Sequence, residues 1–248
     1  MVKTKENHIE DNLPSHVAVI MDGNGRWAKN QGAARLFGHK NAIKAVREVT
    51  EGCAELGIDY LTLYAFSTEN WSRPKAEVSG LMQLLVLTIR GEIKTLQKNN
   101  VRLRAIGNIS TLPKNCQDEL KEAIELTSGN TGLTLILALS YSGRWEIVEA
   151  VRSIAEDVKS GELAVNEIDD DVFKSYLNTR QFPDPELLIR TSGEMRISNF
   201  LLWQIAYTEI YITSKLWPDF RKEDLLEAIS SFQKRERRFG RISEQVNS

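Results

Sequence analysis

Six short apolar runs recur along the chain, each bounded by polar or turn-forming residues, and between them the apolar positions change to steps of three and four. The runs are Val17 to Met21, Tyr60 to Phe66, Val101 to Ile106, Leu133 to Leu139, Leu187 to Ile189 and Ile210 to Thr213. Their length and β-branched content predict buried strands. Between them, Ile43, Val46, Val49, Cys53 and Leu56 mark one helical face that stops at Gly57, where a glycine can close a helix. A longer pattern between Pro74 and Asn99 carries Val78, Leu81, Met82, Leu85, Ile89, Ile93 and Leu96, widened by Leu84, Val86 and Leu87. Further helices are predicted through Val148, Val151, Ala155 and Val158, and through Leu225, Leu226, Ile229 and Phe232. Strands alternating with helices imply an α/β fold whose central sheet is mostly parallel and covered on both faces. The stripe of the Pro74 to Asn99 helix is wider than packing on a sheet requires, which is compatible with an apolar tunnel as well as with plain packing.

At 248 residues the chain fits one domain. The expected division is a flexible N-terminal segment over 1–15, the folded domain over 16–241 and a C-terminal tail over 242–248. The polar connection from Lys159 to Asp171 reads as a loop beside a helix. The run Lys234-Arg235-Glu236-Arg237-Arg238 reads as a solvated helix end whose cations complement the macrodipole. Lys and Arg number 32 against 34 Asp and Glu, a net charge of -2, so no global positive field is present to hold a nucleic acid. Cys53 and Cys116 lack zinc or dithiol spacing, and Cys53 falls on a core face; a reducing cytoplasm is expected. The opening residues contain no apolar run that could serve as a signal peptide. The stretch from Leu81 to Ile89 falls well short of the roughly 20 residues that span a bilayer. Any membrane contact is therefore expected to be peripheral.

In an open parallel sheet, ligands gather outside the carboxyl ends of the strands. That rule selects three loops. After the first strand come Asp22, Gly23, Asn24, Gly25, Arg26 and Trp27, with Arg35 and His39 further on; after the second come Ser67, Asn70 and Arg73; after the fifth come Arg190 to Ser198. The glycines of Asp22-Gly23-Asn24-Gly25-Arg26 let backbone amides approach a phosphate, beside a carboxylate suited to a hard metal ion and a guanidinium. The loop is neither a Walker A motif nor a dinucleotide fingerprint. Arg26, Arg35, Arg73, Arg190 and Arg196 all fall on loops predicted to share one side of the sheet. One such arginine is usually a surface ion pair, whereas five beside Asp22 favour a polyanion site.

Three long motifs then carry a resemblance. His16 to Ala28 with Gly38-His39, Leu63 to Pro74, and Arg196 to Gln204 followed by Tyr207 to Tyr211 and Trp217-Pro218-Asp219-Phe220 resemble, in order, the motifs of the cis-prenyltransferases. The likeness runs from about His16 to Arg241. It implies a Mg2+-dependent enzyme, usually homodimeric, that joins isopentenyl diphosphate to an allylic diphosphate such as farnesyl diphosphate. The expected product is long, as in undecaprenyl carriers, with shorter chains or a non-catalytic accessory subunit as the alternatives. By the resemblance Asp22 holds the metal, with Glu209 as a further metal-associated carboxylate. Gly23, Asn24, Gly25, Arg26, Arg35 and His39 seat the allylic diphosphate, and Ser67, Arg73, Arg190, Arg196 and Ser198 receive isopentenyl diphosphate. Thr68, Glu69 and Ile197 lie within the same binding motifs, and Trp27 and Trp71 match aromatic positions beside the substrates. Asn70 matches the position assigned to proton removal; since an amide is no ordinary base, it is read as orienting a water or the leaving diphosphate, with His39 a candidate by its ordinary pKa. The family often has glycine where this chain has Ser142 and Ser192, an exchange that is comfortable if φ is negative there. The all-helical trans-prenyl synthases are disfavoured because paired D-D-x-x-D motifs are missing: Asp169-Asp170-Asp171 lacks the spacing and is expected in a loop. A kinase or phosphohydrolase is disfavoured because no nucleotide motif or phosphate-directed nucleophile is evident.

Overall fold

Alternation along each strand sends its side chains to two faces of one sheet, and the two faces have different partners. The computed structural model describes residues 12–236. In chain order its elements are β1 (His16–Ile20), α1 (Asn24–Asn30), α2 (Arg35–Glu55), β2 (Tyr60–Ser67), α3 (Lys75–Lys98), β3 (Arg102–Ile106), α4 (Lys114–Leu126), β4 (Thr134–Tyr141), α5 (Gly143–Ser160), α6 (Asp170–Ser175), β5 (Leu187–Arg190), β6 (Glu209–Ile212) and α7 (Lys222–Gln233). The six strands run in the order β3-β4-β2-β1-β5-β6, and every pairing is parallel. Val17, Val19, Leu61, Leu63, Leu187 and Ile189 face one way, into a core completed by Val49, Met82, Leu120 and Ile229 of the covering helices. Ala18, Ile20, Ile136, Ala138 and Leu188 face the other way, onto Phe200 and Leu201.

The chain leaves β1 toward β2 and leaves β5 toward β6, in opposite directions across the sheet. A crevice therefore opens between the carboxyl ends of β1 and β5, where Ile20 is in register with Arg190. At the other flank of β1, the pairing of β2 with β4 shifts register between Tyr64 and Phe66 and again between Phe66 and Ser67. Such bulges re-aim the end of a strand, and this one carries the loop from Ser67 to Arg73. His16 is buried in β1, with Nδ1 2.7 Å from the Pro183 carbonyl and Nε2 2.7 Å from the Thr62 hydroxyl. It is a neutral structural histidine: burial lowers its pKa to about 4. Cys53 and Cys116 are free and buried, and burial pushes the Cys53 thiol far up.

Several local expectations need correction. Helix α5 forms, but Val148 and Val151 stand exposed, and the face toward the sheet is Gly143, Glu146, Ala150 and Ile154. Glu146 can face inward because it accepts hydrogen bonds from the Tyr141 hydroxyl (2.6 Å), the Gln204 amide (2.9 Å) and the Asn178 N–H (2.9 Å), compensation that a hydrophobic count cannot see. Asp170 and Asp171 are no loop residues, since they form the first turn of α6; Asp169, just outside the helix, caps it by accepting from the Val172 N–H at 2.8 Å. Arg235 is not simply solvated, since it donates to Glu209 at 2.7 Å; Arg237 and Arg238 lie outside the described residues. The proposed tail over 242–248 and most of the segment over 1–15 also lie outside them. Within that segment, Leu13 packs against the core and the Ser15 N–H donates to Glu186 at 2.6 Å. Among the described residues no helix is long and apolar enough to cross a membrane.

Candidate active site

The crevice between β1 and β5 brings Asp22 against Arg190. Arg190 Nη2 donates to Asp22 Oδ2 at 2.8 Å, and the Gly23 N–H donates to Oδ1 at 2.7 Å. Thr191 fixes the backbone here, accepting from the Asp22 N–H at 2.9 Å and donating to the Asp22 carbonyl at 2.7 Å. Gly23 has φ 104, which favours glycine, and an added Cβ would lie a tight 3.2 Å from the Leu216 Cα. Burial works to raise the Asp22 pKa, but the bonds from Arg190 and the Gly23 amide outweigh it and hold the carboxyl below its usual range. Arg190 itself is 3 % exposed; it also donates to the Arg196 carbonyl and to Ser198 Oγ at 2.8 Å, while its Nε is buried with no partner. Arg26 donates to Ser192 Oγ (2.6 Å) and O (3.1 Å) and pairs with Glu194 at 3.0 Å; Glu194 also holds Arg196 at 2.5 Å.

A second group lies at the bulged end of β2. The Ser67 N–H donates to Asn70 Oδ1 at 3.1 Å, which fixes the side chain and leaves its amide N–H groups free of any bond to Ser67. Arg73 (3.2 Å) and Arg35 (3.7 Å) share Glu77. His39 Nδ1 lies 3.3 Å from Asn24 Nδ2, and Asn24 Oδ1 is buried without a partner. Burial lowers the His39 pKa to about 4, with the Arg73 guanidinium acting in the same direction. At neutral pH the ring is therefore an uncharged donor and acceptor. Glu69 accepts from Thr68 at 3.2 Å and from Asn199 at 2.7 Å, tying this loop to the segment after β5.

Asn24, His39, Asn70 and Arg73 stand at one end of a cavity of about 240 Å³. From there it extends between α2, α3 and the sheet, past Ile43, Leu63, Leu85, Ile89 and Leu137. The wide stripe of α3 packs into the core through Val78 and Met82 and lines the cavity through Leu81, Met82, Leu84 and Leu85.

Of the residues selected from sequence, Asp22, Gly23, Arg26, Arg190, Arg196 and Ser198 gather at the β1–β5 crevice. Asn24, Arg35, His39, Ser67, Asn70 and Arg73 gather at the cavity mouth. Gly25 sits in the first turn of α1, where an added Cβ would meet Arg35 Nε at 3.1 Å. Trp27 and Trp71 brace loops: Trp27 donates to Asp219 at 2.8 Å and stacks on Phe37, and Trp71 donates to Ser140 at 2.9 Å and packs edge-on against Phe66. Ile197 packs against the core that holds Phe200. Glu209 stands apart: it is in register with Leu187, three residues or about 10 Å along the strand from the level of Arg190, and it binds Arg235. Glu77 was not selected, and nothing in its spacing marks it; Thr191 and Ser192 fall in the loop selected after β5 but had no role assigned, and the roles of all three come from contacts distant in sequence. Ser142 has φ -154 and caps α5, which meets the condition for a comfortable serine, whereas Ser192 has φ 75 and does not meet it. Among the described residues no three His, Cys, Asp or Glu side chains gather to hold a metal. Asp22, ionised and partly exposed, fits a hard divalent cation that takes its other ligands from phosphate oxygens and water.

Residues 20–240 match the family model described as "Putative undecaprenyl diphosphate synthase". The chain is 53% identical over 236 residues to an isoprenyl transferase of Chlorobaculum tepidum, covering 95% of this chain and 89% of that one. It is 52% identical over 239 residues to the farnesyl-diphosphate-specific ditrans,polycis-undecaprenyl-diphosphate synthase of Vibrio cholerae, covering 96% of each. Its fold superposes with a TM-score of 0.89 on the crystal structure of lavandulyl diphosphate synthase from Lavandula x intermedia in complex with dimethylallyl diphosphate. That match has 42% identity and covers 92% of this chain and 98% of the other.

Proposed function

Because the chain belongs to the cis-prenyltransferase family of undecaprenyl diphosphate synthases and isoprenyl transferases, we propose that it condenses isopentenyl diphosphate with farnesyl diphosphate to build undecaprenyl diphosphate, a lipid carrier for cell-wall synthesis. The observation that carries this reading is the Asp22–Arg190 pair in the β1–β5 crevice, with Met21 and Asn24 on either side of the Asp22-Gly23 turn lining the apolar cavity. In the reaction the allylic C–O bond breaks, diphosphate departs with the electron pair, and the isopentenyl double bond forms the new C–C bond. A proton is then lost to set the next double bond. The barrier falls mainly through charge neutralisation at the leaving group and alignment of the reactants. Gly23, Asn24, Gly25, Arg26, Arg35 and His39 are assigned to the allylic diphosphate, and Ser67, Arg73, Arg190, Arg196 and Ser198 to isopentenyl diphosphate. Asp22 would hold Mg2+, which when bound supplies Lewis-acid neutralisation of the diphosphate. Asn70, through its amide nitrogen, orients the diphosphate or a water that accepts the proton.

Incubation with radiolabelled isopentenyl diphosphate, farnesyl diphosphate and Mg2+, followed by chromatography, tests the reading. Label in a product of undecaprenyl length is expected. A shorter product would move the protein to the short-chain alternative, and no incorporation would leave it an accessory subunit.

A homodimer belongs to the same proposal. The edge strand β6 exposes Ile210 and Ile212, and Trp203 and Tyr207 are exposed just before it, an apolar margin of the kind that interfaces cover. Glu209, placed along β6 away from the level of Arg190, would join a metal site from a second subunit. Sedimentation at micromolar concentration is expected to show a dimer, and a monomer alone would remove both ideas. The two free, buried cysteines agree with a cytoplasmic setting, and an apolar product agrees with peripheral contact at the inner membrane face.

A further inference from the structure

Ser192 combines three features that rarely coincide. Its φ of 75 lies in the left-handed region, which a side chain with a Cβ adopts at a cost; it is 6 % exposed; and its hydroxyl contacts a charged group of the site. Arg26 grips the residue with both terminal nitrogens, Nη2 on Oγ at 2.6 Å and Nη1 on the carbonyl at 3.1 Å. The backbone is held on the far side, where the Ser192 N–H donates to the Lys215 carbonyl at 2.8 Å and the Gly193 N–H to the Thr213 carbonyl at 2.8 Å. The loop is thereby anchored to the end of β6, and its one side-chain oxygen is turned toward the crevice.

We propose that Ser192 is a positioning residue, held in a conformation that suits glycine so that its hydroxyl fixes the Arg26 guanidinium beside Asp22 for an incoming diphosphate. Without that bond Arg26, which is otherwise exposed, keeps the Ser192 carbonyl, Glu194 at 3.0 Å and Asp22 at 3.7 Å as partners. All three lie on the protein side, so the guanidinium would dwell on carboxylates of its own chain instead of standing ready for phosphate oxygens. A glycine would suit the backbone better and would lose this function, so stability and substrate affinity should move in opposite directions.

The inference rests on the proposed function, and the test separates the two. Ser192→Gly and Ser192→Ala are compared with the native protein by thermal unfolding, by steady-state kinetics and by binding of inorganic pyrophosphate with Mg2+. Ser192→Gly is expected to raise the unfolding midpoint by about 2–4 °C, as relief of one left-handed side chain would do at this chain length. It should raise KM for the allylic diphosphate about tenfold, change kcat much less, and weaken pyrophosphate binding by a similar factor. Ser192→Ala should show the same loss of affinity with no gain in stability. Unchanged KM and pyrophosphate affinity in both variants would overturn the proposal, as would a glycine variant that is less stable than the native protein. A native protein that binds pyrophosphate and incorporates no isopentenyl diphosphate would fail the functional reading instead, and the pyrophosphate arm would still decide the role of the serine.

Discussion

Asp22→Ala is expected to lower condensation by about a thousandfold while the protein stays folded. The size follows from the role proposed for the carboxylate: it would hold the cation that neutralises the departing diphosphate, and stabilising that leaving group is the main source of acceleration in this chemistry. Two consequences of the substitution have to be told apart. Alanine removes the proposed metal ligand, and it also strips a partner from Arg190, whose side chain is nearly enclosed. Leaving a buried guanidinium partly unpaired costs about 1–3 kcal/mol, a loss visible in thermal unfolding and too small to unfold a domain of this size. Asp22→Asn separates the two effects, because the amide oxygen can still accept from Arg190 while no longer offering a full negative charge. Both variants should be nearly inactive, and the asparagine variant should unfold at a temperature closer to native. Near-native turnover of Asp22→Ala with farnesyl and isopentenyl diphosphates would contradict the assignment.

The difference between Asp22 and Ser192 shows what was legible in the sequence. The six strands and the helices α2, α3 and α7 follow from periodicity because one side of each element has to be apolar, and that constraint is local; α4, whose inward face mixes Cys116 and Glu119 with Leu120 and Ala123, was not read. Asp22 and Arg190, 168 residues apart, could be assigned to one rim because both follow strands, and the carboxyl ends of parallel strands converge. What was not legible depends on pairing between side chains. Glu146 occupies the inward face of α5 because three donors compensate it, so a face read from Val148 and Val151 points the wrong way. Glu77 and Glu194 each bridge two arginines, yet either one alone looks like an ordinary surface acid. The bulge after Tyr64 and the left-handed φ of Ser192 are backbone features imposed by neighbouring strands and loops, and the residues at those positions do not announce them.

Gly38→Ala should damage stability and catalysis together, from a position that touches no substrate. Gly38 lies in the first turn of α2 where α1 crosses it, and a Cβ there would sit 2.0 Å from the Asn24 carbonyl oxygen and 3.2 Å from the Ala28 Cβ. The first of these is a backbone atom, so no rotamer change can relieve the overlap and the helices must separate. Forcing a methyl into a closed contact costs about 3 kcal/mol. The same separation carries Asn24, Gly25 and Arg26 away from Asp22 and His39, and a displacement near 1 Å in such a loop costs about a hundredfold in rate. Gly91→Ala is the matching control: it lies in α3, exposed, with no atom within 4 Å of an added Cβ, so helix propensity should make that variant about 0.5–1 kcal/mol more stable with native kinetics. Urea unfolding and kcat/KM measured on both proteins at a temperature where each is folded would check the pair. If Gly38→Ala kept native stability and native kcat/KM, the close crossing of α1 on α2 would not be what holds the diphosphate loop in place.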